Sequence, residues 1–191
     1  MSDILKSPYV SASLQATLFS AVSYVIGQVV LSLKDNDKFS VDIDYTVLGR
    51  FVSWALVSTP IGILWQQTLD IRFPSTKPKH GPSGRAISKD SPKEYHQLNI
   101  FVKVVLTETI FSIAFNSAFI AYITYLEHGD LKMTIAKVRT DVPELWTSSI
   151  KVWPLVTYVS FGFLPPQFRV AFTSVVGLVW GIYVNAFVIS K

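Results

Sequence analysis

Two ionisable residues, Lys103 and Glu108, sit inside a run from Leu98 to Leu126 that is otherwise free of charge. A third, Arg169, follows an aromatic, apolar stretch and opens another apolar run. In a run long enough to cross a bilayer, a charge costs a few kcal/mol and marks either a charge pair or a polar path. Lys103 lies near the start of its run and can snorkel to the interface, whereas Glu108 lies deeper. Five residues on from Lys103, Glu108 points about 140° away round a helix, so a pair within one helix is poorly placed. A partner on another helix fits better, and Arg169 is the group that fits. The same side chains, with Gln66 and Asn116, could instead line a water-filled path for small solutes and set its charge preference or gating. Both readings stay open at this level.

Enzymatic chemistry is not expected. The three histidines, His80, His96 and His128, are scattered through hydrophilic segments without metal-ligand spacing. There is no Gly-rich phosphate cradle, no HExxH and no nucleophile elbow. Cysteine is absent, which removes disulfides and thiolate chemistry. No cofactor or metal is implied.

These groups must be positioned by membrane helices. Half of the 191 residues are apolar and 16% are charged, against about 25% in ordinary soluble domains. The charge is gathered in short blocks between long neutral stretches. The net charge of +4 is modest, and the basic residues lie between apolar spans. That placement argues for anionic lipid headgroups as the partner and against nucleic acid. The expected fold is all-α: a single integral membrane domain of about four transmembrane helices plus a short amphipathic or re-entrant segment.

The spans are read as about 10–33, 51–69, 100–126 and 168–190. Residues 1–7 contain no Arg, so no cleavable mitochondrial presequence is expected there. Span one carries small residues at spacings of four, Ser13, Thr17 and Ala21 beside Ala12, Ala16 and Ser20, which let helices approach closely. Span two contains Pro60, which predicts a kink, and leaves the membrane at Trp65, Gln66 and Gln67. Residues 70–97 form the longest hydrophilic loop, with six Lys or Arg, yet the loops expected opposite it hold seven, so orientation stays open. Span three repeats Ala114-x-x-x-Ala118, and the last span carries Gly177-x-x-x-Gly181; both are packing motifs. The glycine pair is expected inside the bundle, with homodimer contact as the alternative. Leu131, Ile135 and Val138 recur at helical spacing in 127–149 and predict a short amphipathic helix at the membrane surface. Residues 150–166, with Pro154, Pro165 and Pro166 among aromatic residues, read as a broken segment that spans or re-enters the membrane, making four or five crossings.

This last region also carries a resemblance. Lys151, Trp153, Pro154, Phe161, Pro165, Gln167, Phe168, Arg169, Trp180 and Tyr183 resemble the C-terminal signature of the Mpv/PMP family, which unites peroxisomal membrane proteins and Mpv-type mitochondrial inner-membrane proteins. Weaker matches lie upstream at Thr59-Pro60, Trp65, Leu69-Asp70, Lys103-Val104, Phe111-Ser112 and Phe115-Asn116. The likeness covers about residues 9–191, with 151–183 its specific part. The chain also departs from the pattern. Thr59 stands for the family's Gly, Ile63 for a His, Gln66 for a Tyr, and Thr107-Glu108 for an Asp-Gln pair. Ile150, Thr157 and Ser160 stand for Trp, Gln and Asn. The resemblance implies an organellar multi-pass protein with non-selective pore activity, in the mitochondrial inner membrane by preference or else in the peroxisomal membrane. The rival expectation is a non-conducting scaffold, sorting factor or tether that works through self-association as a homo-oligomer.

Overall fold

A computed structural model describes residues 8–34, 43–76 and 95–184. These form α1 (Pro8–Lys34), α2 (Tyr45–Arg72), α3 (Gln97–Leu106), a π-helical segment (Thr107–Phe111), α4 (Ser112–His128), α5 (Leu131–Ser149), α6 (Trp153–Phe163) and α7 (Pro166–Val184). Among the described residues the extended structure is one bridge, Thr76 to Tyr95, which closes the base of the hydrophilic loop. The fold is an all-helical membrane protein. Val10–Val30, Tyr45–Arg72 and the continuous helix Gln97–His128 are each long and apolar enough to cross a bilayer. Residues 185–190 of the expected last span, and most of the basic loop, lie outside the described residues.

Local chemistry explains the boundaries. Asp44 caps α2: its carboxylate accepts from the amides of Val47 (3.2 Å) and Thr46 (2.8 Å). Those bonds hold the Asp44 carboxyl below its ordinary pKa, so the cap contributes at neutral pH and fades as the carboxylate protonates. Helix α2 runs unbroken through Pro60, with the Thr59 hydroxyl bonded to the Ala55 carbonyl at 2.7 Å. After α4, Gly129 adopts φ 65°, the left-handed conformation that a glycine tolerates, and its amide closes on Tyr125. Asp130 then caps α5 through the Lys132 amide. Two residues thus reverse the chain.

That reversal corrects the expected surface helix. Helix α5 folds back antiparallel along α4, and near its end the Trp146 indole donates to the Glu108 carbonyl at 2.7 Å. Its buried face is Thr134, Val142 and Ser149; Leu131 and Ile135 are 63% and 45% exposed. Helix α6 continues in the same direction beside α3. Its eleven residues rise about 16 Å, half of a ~30 Å hydrocarbon core. So α5 and α6 together run back along the α3–α4 helix, interrupted at 150–152. The three prolines break no helix. Pro154 lies in the first turn of α6, and Pro166 starts α7, positions where a missing amide costs nothing. Leu164, just before Pro165, is extended, as a residue preceding proline prefers.

Packing pairs α1 with α2 and α7, α4 with α5, and α3 with α6. Along the α2–α4 seam Trp54 meets Phe115, Phe119 and Tyr122 at ring distances of 5.3, 5.6 and 5.5 Å. Leu69, Ile100 and Phe161 form a buried cluster at the other end of α2. Large apolar side chains such as Leu18, Val57, Phe101, Leu155 and Val179 point outward, as lipid contact requires.

Ion pairs mark two levels. Arg50 meets Glu127 at 3.6 Å at one end of α2, and Asp70 meets Lys103 and Arg169 at the other. From Arg50 to Asp70 a helix rises about 30 Å, close to the thickness of a hydrocarbon core. These two ion-pair groups are therefore spaced as the two headgroup levels of a bilayer would be.

Gly181 belongs to this bundle. A β-carbon there would lie 2.5 Å from the Ser23 hydroxyl of α1, which itself donates to the Leu178 carbonyl. Gly177, one turn earlier, has open space around it. Gly181→Leu is expected to lower the thermal stability of detergent-purified protein by about 1–3 kcal/mol through overpacking. Gly177→Ala should leave the melting temperature within about 1 °C; equal losses at both positions would contradict this packing.

Candidate functional site

The functional groups gather where α2, α3, the π segment, α6 and α7 meet. Lys103 is fully buried; its ammonium donates to Asp70 Oδ1 at 2.5 Å and to the Ser75 hydroxyl at 2.7 Å. Arg169 is 5% exposed; Nη1 donates to the other oxygen, Asp70 Oδ2, and Nε to the Leu164 carbonyl at 3.2 Å. The Phe161 ring lies between the cations, 4.8 Å from the ammonium and 4.9 Å from the guanidinium carbon. Cation–π attraction thus supplements the single carboxylate. The layer carries two positive charges against one negative.

This arrangement overturns the expected pair between Glu108 and Arg169. Arg169 stands in the first turns of α7, level with Asp70. Glu108 lies about 7.5 Å further along its helix than Lys103, toward the membrane interior. There the carboxylate, 6% exposed, accepts a 2.6 Å hydrogen bond from the Thr157 hydroxyl of α6. The π segment aims it. Ser112 bonds back five residues to Thr107, so the local pitch widens at Glu108. Beside it, the Trp65 indole donates to the Thr107 hydroxyl at 3.1 Å, and the Trp65 and Phe111 rings stack at 5.1 Å. Among the described residues every buried side-chain nitrogen or oxygen finds a partner.

The other predicted residues scatter. Gln66 is half-buried on α2. Asn116 is spent on its own helix, donating to the Ser112 hydroxyl at 3.3 Å. Ala114 and Ala118 are exposed, so the expected packing motif of span three is not buried among the described residues. Of the family-like positions, Phe161 and Arg169 are in the charged layer, and Trp153 meets Trp180 edge-on at 6.5 Å, tying α6 to α7. Pro154 starts α6, while Lys151, Pro165 and Gln167 are exposed at the junctions on either side of it. Sequence reasoning missed Asp70, the centre of the layer, because it sits at the margin of an apolar run and reads as loop.

A second feature lies outside the bundle centre. Helix α5 carries Lys137, Asp141 and Glu144 on one side, where Lys137 and Asp141 form an ion pair at 3.2 Å, and Lys132 and Arg139 on another. Because α5 runs from the Glu127 level to the Glu108 level, these charges lie alongside the apolar middle of α4.

The chain compares with known proteins as follows. Residues 124–185 match the Mpv17 / PMP22 family, a segment that takes in all of α5, α6 and α7. The whole chain is 26% identical to PXMP2/4 family protein 3 of Dictyostelium discoideum, covering 90% of that protein. It is 27% identical to mitochondrial inner membrane protein Mpv17 of Caenorhabditis briggsae over 45% of this chain and 48% of the relative. It is 22% identical to peroxisomal membrane protein 2 of Bos taurus over 92% of this chain and 81% of the relative. No solved structure matches.

The charged layer makes a stability prediction. Asp70→Asn leaves two buried cations without a counter-ion and should cost about 3 kcal/mol in chemical denaturation, the low end for such a loss because Asp70 keeps 28% exposure. Glu108→Gln keeps an acceptor for Thr157 and should unfold within about 0.5 kcal/mol of the parent. The reverse ranking would show that Glu108, and not Asp70, holds the helices together.

Proposed function

We propose that the chain is a divergent member of the Mpv17 / PMP22 family of organellar membrane proteins, which its matches support, and that it provides a passive route for small solutes. The observation that carries this reading is the charge on α5. A helix bearing Lys137, Asp141 and Glu144 on one side and Arg139 on another runs along the apolar middle of α4. Charged side chains at that depth are tolerated where they line water or protein, and are costly against acyl chains. Solutes would enter from the end marked by Arg50 and Glu127 and follow α5 inward. At the α5–α6 break they would meet Glu108, held by Thr157, and beyond it the layer of Asp70, Lys103 and Arg169. Both are closed by side-chain contacts here, so conduction requires them to part. The excess positive charge of the layer favours small anions. The role is non-enzymatic.

A scaffold role is the second reading, and the exposed Ala114 and Ala118 favour it, since a smooth helix face accepts another helix closely. Gly177 and Gly181 do not support it, because Gly181 is used within the chain against Ser23. The mitochondrial inner membrane is our preferred location and the peroxisomal membrane the alternative, since relatives named for both match. Co-localisation of a tagged chain with markers of each organelle decides it.

Planar-bilayer recording tests the passage. Purified protein should give conductance above empty lipid, with anions preferred. Removing the ionisable carboxyl in Glu108→Gln should change single-channel conductance or open probability at least about twofold, a few tenths of a kcal/mol at the barrier. Conductance no higher than empty lipid defeats the proposal.

A further inference from the structure

We infer that the bundle holds a second site, separate from the charged layer: a chamber between α1, α2 and α7 that binds an uncharged polyol the size of a pentose. The inference goes beyond the passage reading and does not rest on it.

The chamber has a volume of about 240 Å³. Its lining stands on the sides of the helices turned away from lipid. On α1 the exposed residues are Leu14, Leu18 and Val22, and on α7 they are Val175 and Val179. Ser20 and Ser23 of α1, and Gly177 and Gly181 of α7, lie on the opposite sides and line the chamber. Phe51, the contribution of α2, faces Phe119 of α4 at 5.9 Å. The space is therefore interior to the bundle. It lies at the Arg50–Glu127 end, because the Ser20 hydroxyl reaches the Phe51 carbonyl and the Tyr24 hydroxyl the Asp44 carbonyl. Helices α1 and α7 touch where a β-carbon on Gly181 would meet Ser23. One turn away, at Gly177, the same test meets nothing within 4 Å, and there the gap opens.

The lining selects the ligand. None of its ten residues carries a charge, so an ion would lose its water and find no counter-ion. Four of the ten carry hydroxyls: Ser20, Ser23, Tyr24 and Ser174. Ser23 donates to the Leu178 carbonyl at 3.1 Å, while the Ser20 contact, at 3.5 Å, is at the limit of a hydrogen bond. Ser174 makes no hydrogen bond among the described residues, although its neighbour Thr173 bonds back to the Arg169 carbonyl. A wholly apolar ligand would set these hydroxyls against carbon and leave Ser174 unsatisfied. The rings of Phe19, Tyr24 and Phe51 offer apolar surface beside them. A neutral frame of C–H groups bearing hydroxyls matches both kinds of wall. Size narrows the class: a cavity of about 150 Å³ holds benzene, so one of 240 Å³ has room for about ten heavy atoms, as in a pentose.

The test is equilibrium binding of tritiated xylose to the purified full chain in lauryldimethylamine oxide, a detergent without a sugar headgroup. Saturable binding is expected, half-complete at about 1–10 mM as befits about ten heavy atoms. Binding that does not saturate below about ten times that range means a chamber that holds only water, and overturns the proposal. Xylonate, the same skeleton with a carboxylate, should compete at least about tenfold less well than xylose. Equal competition refutes the neutral class. If 1-octanol displaces xylose at lower concentration than xylose itself, the chamber takes an apolar chain and the polyol assignment fails. Gly177→Leu, which fills the gap, should weaken binding at least about tenfold. Because that variant can misfold, Ser174→Ala is measured beside it. Its melting temperature should stay within about 1 °C of the parent while xylose binds at least about threefold more weakly. Parental affinity in Ser174→Ala places any bound sugar elsewhere and sinks the inference. Bilayer recording on the same protein keeps the two ideas apart. Xylose binding without conductance sinks the passage reading alone, and conductance without xylose binding sinks this inference alone.

Discussion

The fold depends on one carboxylate. Asp70 ends α2, and its two oxygens take Lys103 from α3 and Arg169 from α7. Three helices distant in sequence are thereby fixed at one level, near the edge of the apolar core. The Phe161 ring fills the space between the two cations, which fixes α6 as well. Buried ion pairs are weak sources of stability, because desolvation offsets most of the attraction. Their effect here is on register. Sliding α3 or α7 by one turn would leave a cation unpaired in an apolar environment, and that penalty selects a single alignment.

With that end fixed, the bilayer sets the rest. Arg50 and Glu127 lie about 30 Å away along α2, so the same helices also match the thickness of a membrane at the second level. Between the levels a chain can cross as a full helix or as two half-helices that bury their ends in protein. Segments α1, α2 and the α3–α4 helix take the first route, while α5 and α6 run back along the α3–α4 helix as two shorter helices. Glu108 joins them, since its carbonyl accepts from Trp146 of α5 and its carboxylate from Thr157 of α6, while Ile150, Lys151 and Val152 themselves are exposed.

The apolar helices were legible from hydropathy alone, since the apolar runs at 10–33, 51–69 and 100–126 fall within α1, α2 and the helix of α3 and α4. The broken segment was half legible. Three prolines announced a break, but hydropathy cannot tell a helix interior from a helix start, and Pro154 and Pro166 occupy starts. Helix α5 was legible as a helix and misplaced. Its Leu131–Ile135–Val138 spacing is real, yet the turn at Gly129–Asp130 aims Thr134 and Val142 at α4 instead. The ion pairing was not legible. Lys103 and Glu108 stand out because their neighbours are apolar, but partnership is set by level along the bundle axis. Arg169 sits at the level of Asp70, a residue that a count of charges within spans leaves out.

The departures from the family pattern are then coupled changes. Thr107-Glu108 on the π segment and Thr157 on α6 differ separately along the chain, yet Thr157 is the side chain that donates to the Glu108 carboxylate. Thr107, the other departure, takes the indole of Trp65, a residue the family pattern shares. An acid moved into the α6 contact needs a small donor opposite it, and a threonine hydroxyl supplies one without the bulk of an amide. Thr107, Glu108 and Thr157 thus form one hydrogen-bonded junction with Trp65 and Trp146, next to the break between α5 and α6.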